Sequence, residues 1–84
     1  MKKKLIKQMQ QILLTSILIS EGMDHSAFCD YSGHMEFLYI RIVKKEQLAN
    51  VYQAQVFLNI SDHPETDLNR ILEDMQKYIP KEKK

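Results

Sequence analysis

Residues 34–60, HMEFLYIRIVKKEQLANVYQAQVFLNI, decide the fold. Their first part alternates: Leu38, Ile40 and Ile42 fall on one side, and Met35, Phe37, Tyr39, Arg41 and Val43 on the other. The last part separates Tyr52, Ala54, Val56, Leu58 and Ile60 from Val51, Gln53, Gln55, Phe57 and Asn59 in the same way. A period of two is that of an extended chain with one face buried, and the β-branched and aromatic content agrees. The polar run KKEQLAN, residues 44–50, interrupts the alternation, so two strands are predicted at 34–43 and 51–60. A further strand is predicted upstream at 26–31, joined through Ser32-Gly33 as a two-residue link, since glycine tolerates the positive φ of a tight hairpin turn. Three consecutive strands with short links make an antiparallel meander.

On either side the period changes. From residue 3 to residue 20, Leu5, Ile6, Met9, Ile12, Leu13 and Ile17 recur at steps of three and four, as one face of a helix requires. Leu14, Leu18 and Ile19 widen that stripe, so the second half of this helix is expected to be deeply buried. Gly22 is expected to stop it in a left-handed conformation. At the other end, residues 61–80 read SDHPETDLNRILEDMQKYIP. Ser61 and Asp62 are cap candidates, Pro64 suits the first turn, and Glu65 stands three beyond Asp62. Leu68, Ile71, Leu72, Met75 and Ile79 make the inner face, Pro80 is the expected end, and residues 80–84 are expected to fray. The reading is α+β: a two-layer α-β-β-β-α arrangement in one domain, 1–84, with both helices on one face of a three-stranded sheet.

With 84 residues the chain can build one core and not two. A hydrophobic share of 44% with 27% charged residues excludes wholesale disorder. A net charge of +1 gives neither the basic balance of a nucleic-acid binder nor the acidic one of a DNA mimic. Cys29 is the single cysteine, so no internal disulfide forms; a free thiol in a reducing compartment such as the cytoplasm is expected. The opening MKKKLIKQMQQILLTSILIS has the basic start and apolar stretch of a secretory signal. Gln8, Gln10 and Gln11 interrupt it, no A-x-A site follows, and Phe28 spoils a lipoprotein box before Cys29, so the segment reads as part of the folded domain. The uncharged apolar run at 12–19 is far short of the ~20 residues of a membrane span.

If the aliphatic sets lie under the helices, the opposite sheet face carries Met35, Phe37, Tyr39 and Phe57 among Arg41, Gln53 and Gln55. Aromatic, Met and Arg side chains are the types enriched at protein interfaces. Phe37, Tyr39, Arg41, Gln55 and Phe57 are therefore the predicted partner-binding residues. The strand at 51–60 ends the meander and has neither a charge nor a proline, the usual blockers of edge pairing, so a protein partner or a second copy could extend the sheet there.

Chemistry is harder to find. His25, Cys29 and His34 are zinc-type ligands without a fourth partner, and no metal site is expected. A thiol nucleophile would need Cys29 beside His25 or His34 with Asp30 to orient the base, and a buried free thiol is the commoner fate. Asp62, Glu65 and Asp67 complement the dipole of the last helix, and His63 is expected to serve its first turn. Gly22 and Gly33 are the only glycines, too few for a phosphate loop, so no cofactor and no catalysis is expected.

The order α-β-β-β-α is also that of double-stranded-RNA-binding domains, and Ser32-Gly33-His34 ahead of Phe37 resembles the loop between their first two strands. That family grips phosphates with a lysine-rich start to its last helix, where this chain has Asp62-His63-Pro64-Glu65-Thr66-Asp67. The remaining basic cluster is Lys2, Lys3, Lys4 and Lys7. Nucleic acid is thus the alternative partner and not the expected one. Phe28, Asp30 and Tyr31-Ser32-Gly33-His34-Met35, followed by an alternating strand and a short acidic helix, resemble small uncharacterised phage and prophage proteins. That resemblance implies a phage accessory protein, of the anti-CRISPR-like kind that inhibits a host defence system by binding it. The expected function is a non-enzymatic protein-interaction module.

Overall fold

The computed structural model describes residues 2–80 and places five elements along the chain: α1 (Lys3–Glu21), β1 (His25–Ser32), β2 (Phe37–Lys44), β3 (Ala49–Phe57) and α2 (Pro64–Gln76). The strands form one antiparallel sheet in the order β1-β2-β3, so β2 is central and both β1 and β3 are edges. The helices pack against each other, α1 over β1 and α2 beside β3. Leu38, Ile40 and Ile42 of β2 are fully buried and join Val56, Leu58, Ile12, Ile19, Leu68, Ile71 and Met75 in one core. The α+β meander with two helices on one face is the architecture that the alternation implied. Among the described residues, no helix is long and apolar enough to cross a membrane.

The links differ from the expected ones. The last β1–β2 pair is Ser32 with Phe37, so residues 33–36 form a four-residue loop and β2 starts at Phe37, not His34. Glu36, rather than Gly33, takes the positive φ of 48°. Its carbonyl accepts a 2.8 Å hydrogen bond from Leu58 N–H, which ties this loop to the chain leaving β3. β3 ends at Phe57 instead of residue 60, because Ile60 and Ser61 N–H both donate to the Phe57 carbonyl and turn the chain. Leu58 stays in the core, whereas Ile60, expected beside it, is 73% exposed. A register shift between Ile42 and Val43 breaks the alternation, leaving both buried, although Val43 was expected on the open face.

The helix ends also differ. Gly22 has φ −75° and ψ 173°, an extended conformation open to any residue, so it is not a left-handed stop. It lies against the Pro80 ring, which a Cβ at this position would run into. The cation that suits a helix C-terminus comes from the β2–β3 turn: Lys45 Nζ donates to the Ser20 and Gly22 carbonyls at 3.0 and 2.8 Å. The N-cap of α2 is His63, whose carbonyl accepts from Asp67 N–H; the Ser61 hydroxyl is instead bonded to the Asp67 carboxylate. α2 stops at Gln76, well before Pro80, and residues 77–79 continue in tight turns. Residues 81–84 of the expected frayed tail lie outside the described residues.

The largest departure is the rotation of α1. Its buried residues are Leu5, Gln8, Ile12, Thr15, Ser16 and Ile19, while Leu13, Leu14, Ile17 and Leu18 are 53%, 49%, 48% and 39% exposed. The second half of the helix is therefore buried on one side only. Of the polar members of the inner seam, Thr15 Oγ1 donates to Gln11 O and Ser16 Oγ to Ile12 O, while Gln8 Nε2 reaches across to Glu65 O and Asn69 Oδ1 on α2 and its Oε1 is buried without a partner. Three strands at about 4.8 Å spacing span only about 10 Å, little more than the distance between two packed helix axes. Each helix thus sits over an edge strand, and the outer flank of α1 has no sheet beneath it.

Candidate functional site

The open face of the sheet is built in three cross-strand rows. Ser32, Phe37 and Phe57 form the first, Asp30, Tyr39 and Gln55 the second, and Phe28, Arg41 and Gln53 the third. All nine belong to the parity opposite Leu38, Ile40 and Ile42, so no helix covers them. Phe37, Tyr39, Arg41 and Phe57 are half-buried by one another, and Gln55 is exposed. The five predicted partner-binding residues therefore share one face, on two adjacent strands.

Two contacts organise these rows. The Phe37 and Phe57 rings meet edge to face with centroids 4.5 Å apart. At the other end, the Arg41 guanidinium lies over the Phe28 ring, 4.5 Å from its centroid, a cation–π contact between β2 and β1. Phe28 is a member of the face that sequence reasoning missed. Its signal was available in the alternation of β1, where Phe28 and Asp30 are out of phase with Ala27 and Cys29. Met35, expected on this face, lies in the 33–36 loop and is exposed.

Along the free side of β3 runs a groove of about 510 Å³, walled by Tyr52, Gln55 and Phe57 on the strand and by Asp67, Arg70 and Asp74 on α2. The Tyr52 hydroxyl donates a 3.0 Å hydrogen bond to Asp74 Oδ2. Partial burial and this carboxylate push the Tyr52 pKa up to about 12. Asp67 and Asp74 also face Arg70 and Lys77 at 3.7 and 3.9 Å. The strand residues 51–57 bring neither a charge nor a proline to this edge.

The residues weighed for chemistry are scattered. The His25 ring packs on Tyr78, Cys29 points toward the helices, Asp30 lies on the opposite face, and His34 sits in the exposed loop. Burial, then the Asp30 charge, raise the Cys29 pKa, the reverse of what a nucleophilic thiol needs. Among the described residues, no three His, Cys, Asp or Glu side chains come together as a metal set. The chain matches no protein-family model, no curated protein and no solved structure.

Proposed function

We propose that this chain is a protein-interaction module that works by binding, taking a protein partner on the open sheet face and along the free edge of β3. The observation that carries this reading is the placement of Phe28, Phe37, Tyr39 and Phe57, with Arg41, on a sheet face that neither helix covers. Aromatic rings held by their neighbours lose little conformational freedom on binding, and Arg41 and Gln55 add donors that orient a partner. The β3 edge supplies unpaired backbone groups for an added strand. An inhibitor of a host protein, carried by a phage, is one form such a module takes; the neighbouring genes test that origin.

Comparative affinity capture tests the reading. The wild-type chain and a Phe37→Ala/Phe57→Ala variant are immobilised side by side. A protein retained by the first and lost by the second is the expected result, with both chains folded by circular dichroism. Equal retention by the two would remove the sheet face from the proposal.

Nucleic acid is the competing partner. Of the N-terminal lysines, Lys4 is spent on Glu65 at 3.3 Å, and the start of α2 presents Glu65 and Asp67. That charge distribution weighs against a phosphate grip. Fluorescence anisotropy with duplex RNA at low and moderate salt separates the two readings, since phosphate contacts weaken steeply as salt rises.

A further inference from the structure

α1 has a second seam. Lys3, Lys7, Gln10, Leu14, Ile17 and Glu21 follow one another at steps of four and three, which places them on the side opposite Leu5, Ile12 and Ile19. Leu13 and Leu18 flank this seam, and with Leu14 and Ile17 they make a continuous exposed aliphatic patch. Such a patch on a helix of this length marks a contact surface. Beside it, a hollow of about 290 Å³ between Leu13, Ile17 and the β1 residues Ala27 and Cys29 leaves room for inserted side chains.

The charges of α1 say what fits there. Lys3 and Lys7 stand at its start, Glu21 ends it, Asp24 follows, and no charged residue lies between Lys7 and Glu21. Among the described residues these four have no ion-pair partner. Their order opposes the helix's own dipole, for its first turn has no acid and its last no base. Inside one chain that order is unfavourable and is offset only in part, by Lys45 on the Ser20 and Gly22 carbonyls and by Glu65 beside Lys4. Beside an identical helix running the other way, it becomes complementary at both ends.

We infer that this face of α1 binds α1 of a second copy of the chain, antiparallel, about a two-fold axis passing between residues 15 and 16. Leu14 then lies opposite Ile17 of the second copy, with Leu13 beside the second copy's Leu13 on one flank of the seam and Leu18 beside its Leu18 on the other. Lys7 comes within one helical turn of Glu21 of the second copy, and Asp24 follows in the turn just beyond that helix end. Every contact occurs twice, as a closed isologous dimer demands. A parallel copy would set lysine against lysine. An anionic membrane surface would attract the lysine end and repel the acidic one.

Sedimentation equilibrium of the full chain over a micromolar concentration range tests this. The expected result is a dimer that Ile17→Glu converts to a monomer with an unchanged far-ultraviolet dichroism spectrum. Lys7→Glu should weaken association about tenfold or more, and adding Glu21→Lys to it should restore the dimer, because charge pairs across an interface act through their complementarity. The Phe37→Ala/Phe57→Ala variant should dimerise as the wild type does, which keeps this surface separate from the sheet face. A wild-type chain that stays monomeric, a dimer that survives Ile17→Glu, a charge exchange that restores nothing, or Ile17-dependent binding to anionic phospholipid vesicles would each overturn the inference.

Discussion

Phe57 and Phe37 stand opposite each other in the β2–β3 ladder, and their rings meet at 88° with centroids 4.5 Å apart. No helix lies over them, so each ring is half-buried mainly through its neighbours in the sheet. The pair thereby adds to the stability of the sheet while keeping an apolar surface turned to solvent.

The coupling between these rings is measurable. A double-mutant cycle of Phe37→Ala and Phe57→Ala by urea unfolding should give an interaction of about 0.5–1.5 kcal/mol, the range for an edge-to-face pair. Additive single effects would mean that the rings do not touch in solution.

The rotation of α1 is tested by two adjacent residues. Ile12 is fully buried and Leu13 half-exposed. Ile12→Ala should cost about 2–5 kcal/mol by leaving a cavity in the core. Leu13→Ala, measured at concentrations where the chain is monomeric, should cost less than about 1 kcal/mol. Equal losses would place the apolar stripe symmetrically about the core, as its spacing alone suggests.

Alkaline pH should act through Tyr52. Its folded pKa of about 12 lies above the ordinary 10.0 because burial and the bond to Asp74 both disfavour the phenolate. A raised folded pKa means that this contribution to stability is whole below pH 10 and is lost as pH rises toward 12. The urea midpoint of the wild type should therefore fall more steeply between these limits than that of Tyr52→Phe. At neutral pH, Tyr52→Phe should cost about 0.5–1.5 kcal/mol for the lost hydrogen bond.

Cys29 should be a slow thiol. Burial and the neighbouring Asp30 both hold its pKa above the ordinary value, and the thiolate is the reactive form. Labelling by a disulfide reagent at neutral pH should be slower in the folded chain than in urea. Asp30→Asn should speed the folded reaction only modestly, since the larger cause, burial, remains. Rapid labelling of the native chain would return Cys29 to the list of possible nucleophiles.

Much of this architecture was legible in single residues. The alternation of Leu38, Ile40 and Ile42 against Phe37, Tyr39 and Arg41 assigned both faces of β2, because a pleated strand sends successive side chains to opposite sides. The predicted contact residues consequently lie together. Phe28 was legible in the alternation of β1, which puts it on the side of Asp30; what the four-residue loop at 33–36 decided was its neighbour, Arg41. Ile60 left the core for a related reason: the turn after Phe57 ended the strand before its alternation did.

The period of each segment, and with it the order helix, three strands, helix, was determined by the chain alone, since backbone stereochemistry repeats every 3.6 or two residues wherever the segment ends up. Which flank of α1 faces inward was decided only on assembly. Its apolar residues spread too widely for one narrow seam, and a three-stranded sheet shared with α2 can cover only one. Leu5, Ile12 and Ile19 took that place, and Leu13, Leu14, Ile17 and Leu18 were left outside because nothing within the described chain remains to cover them.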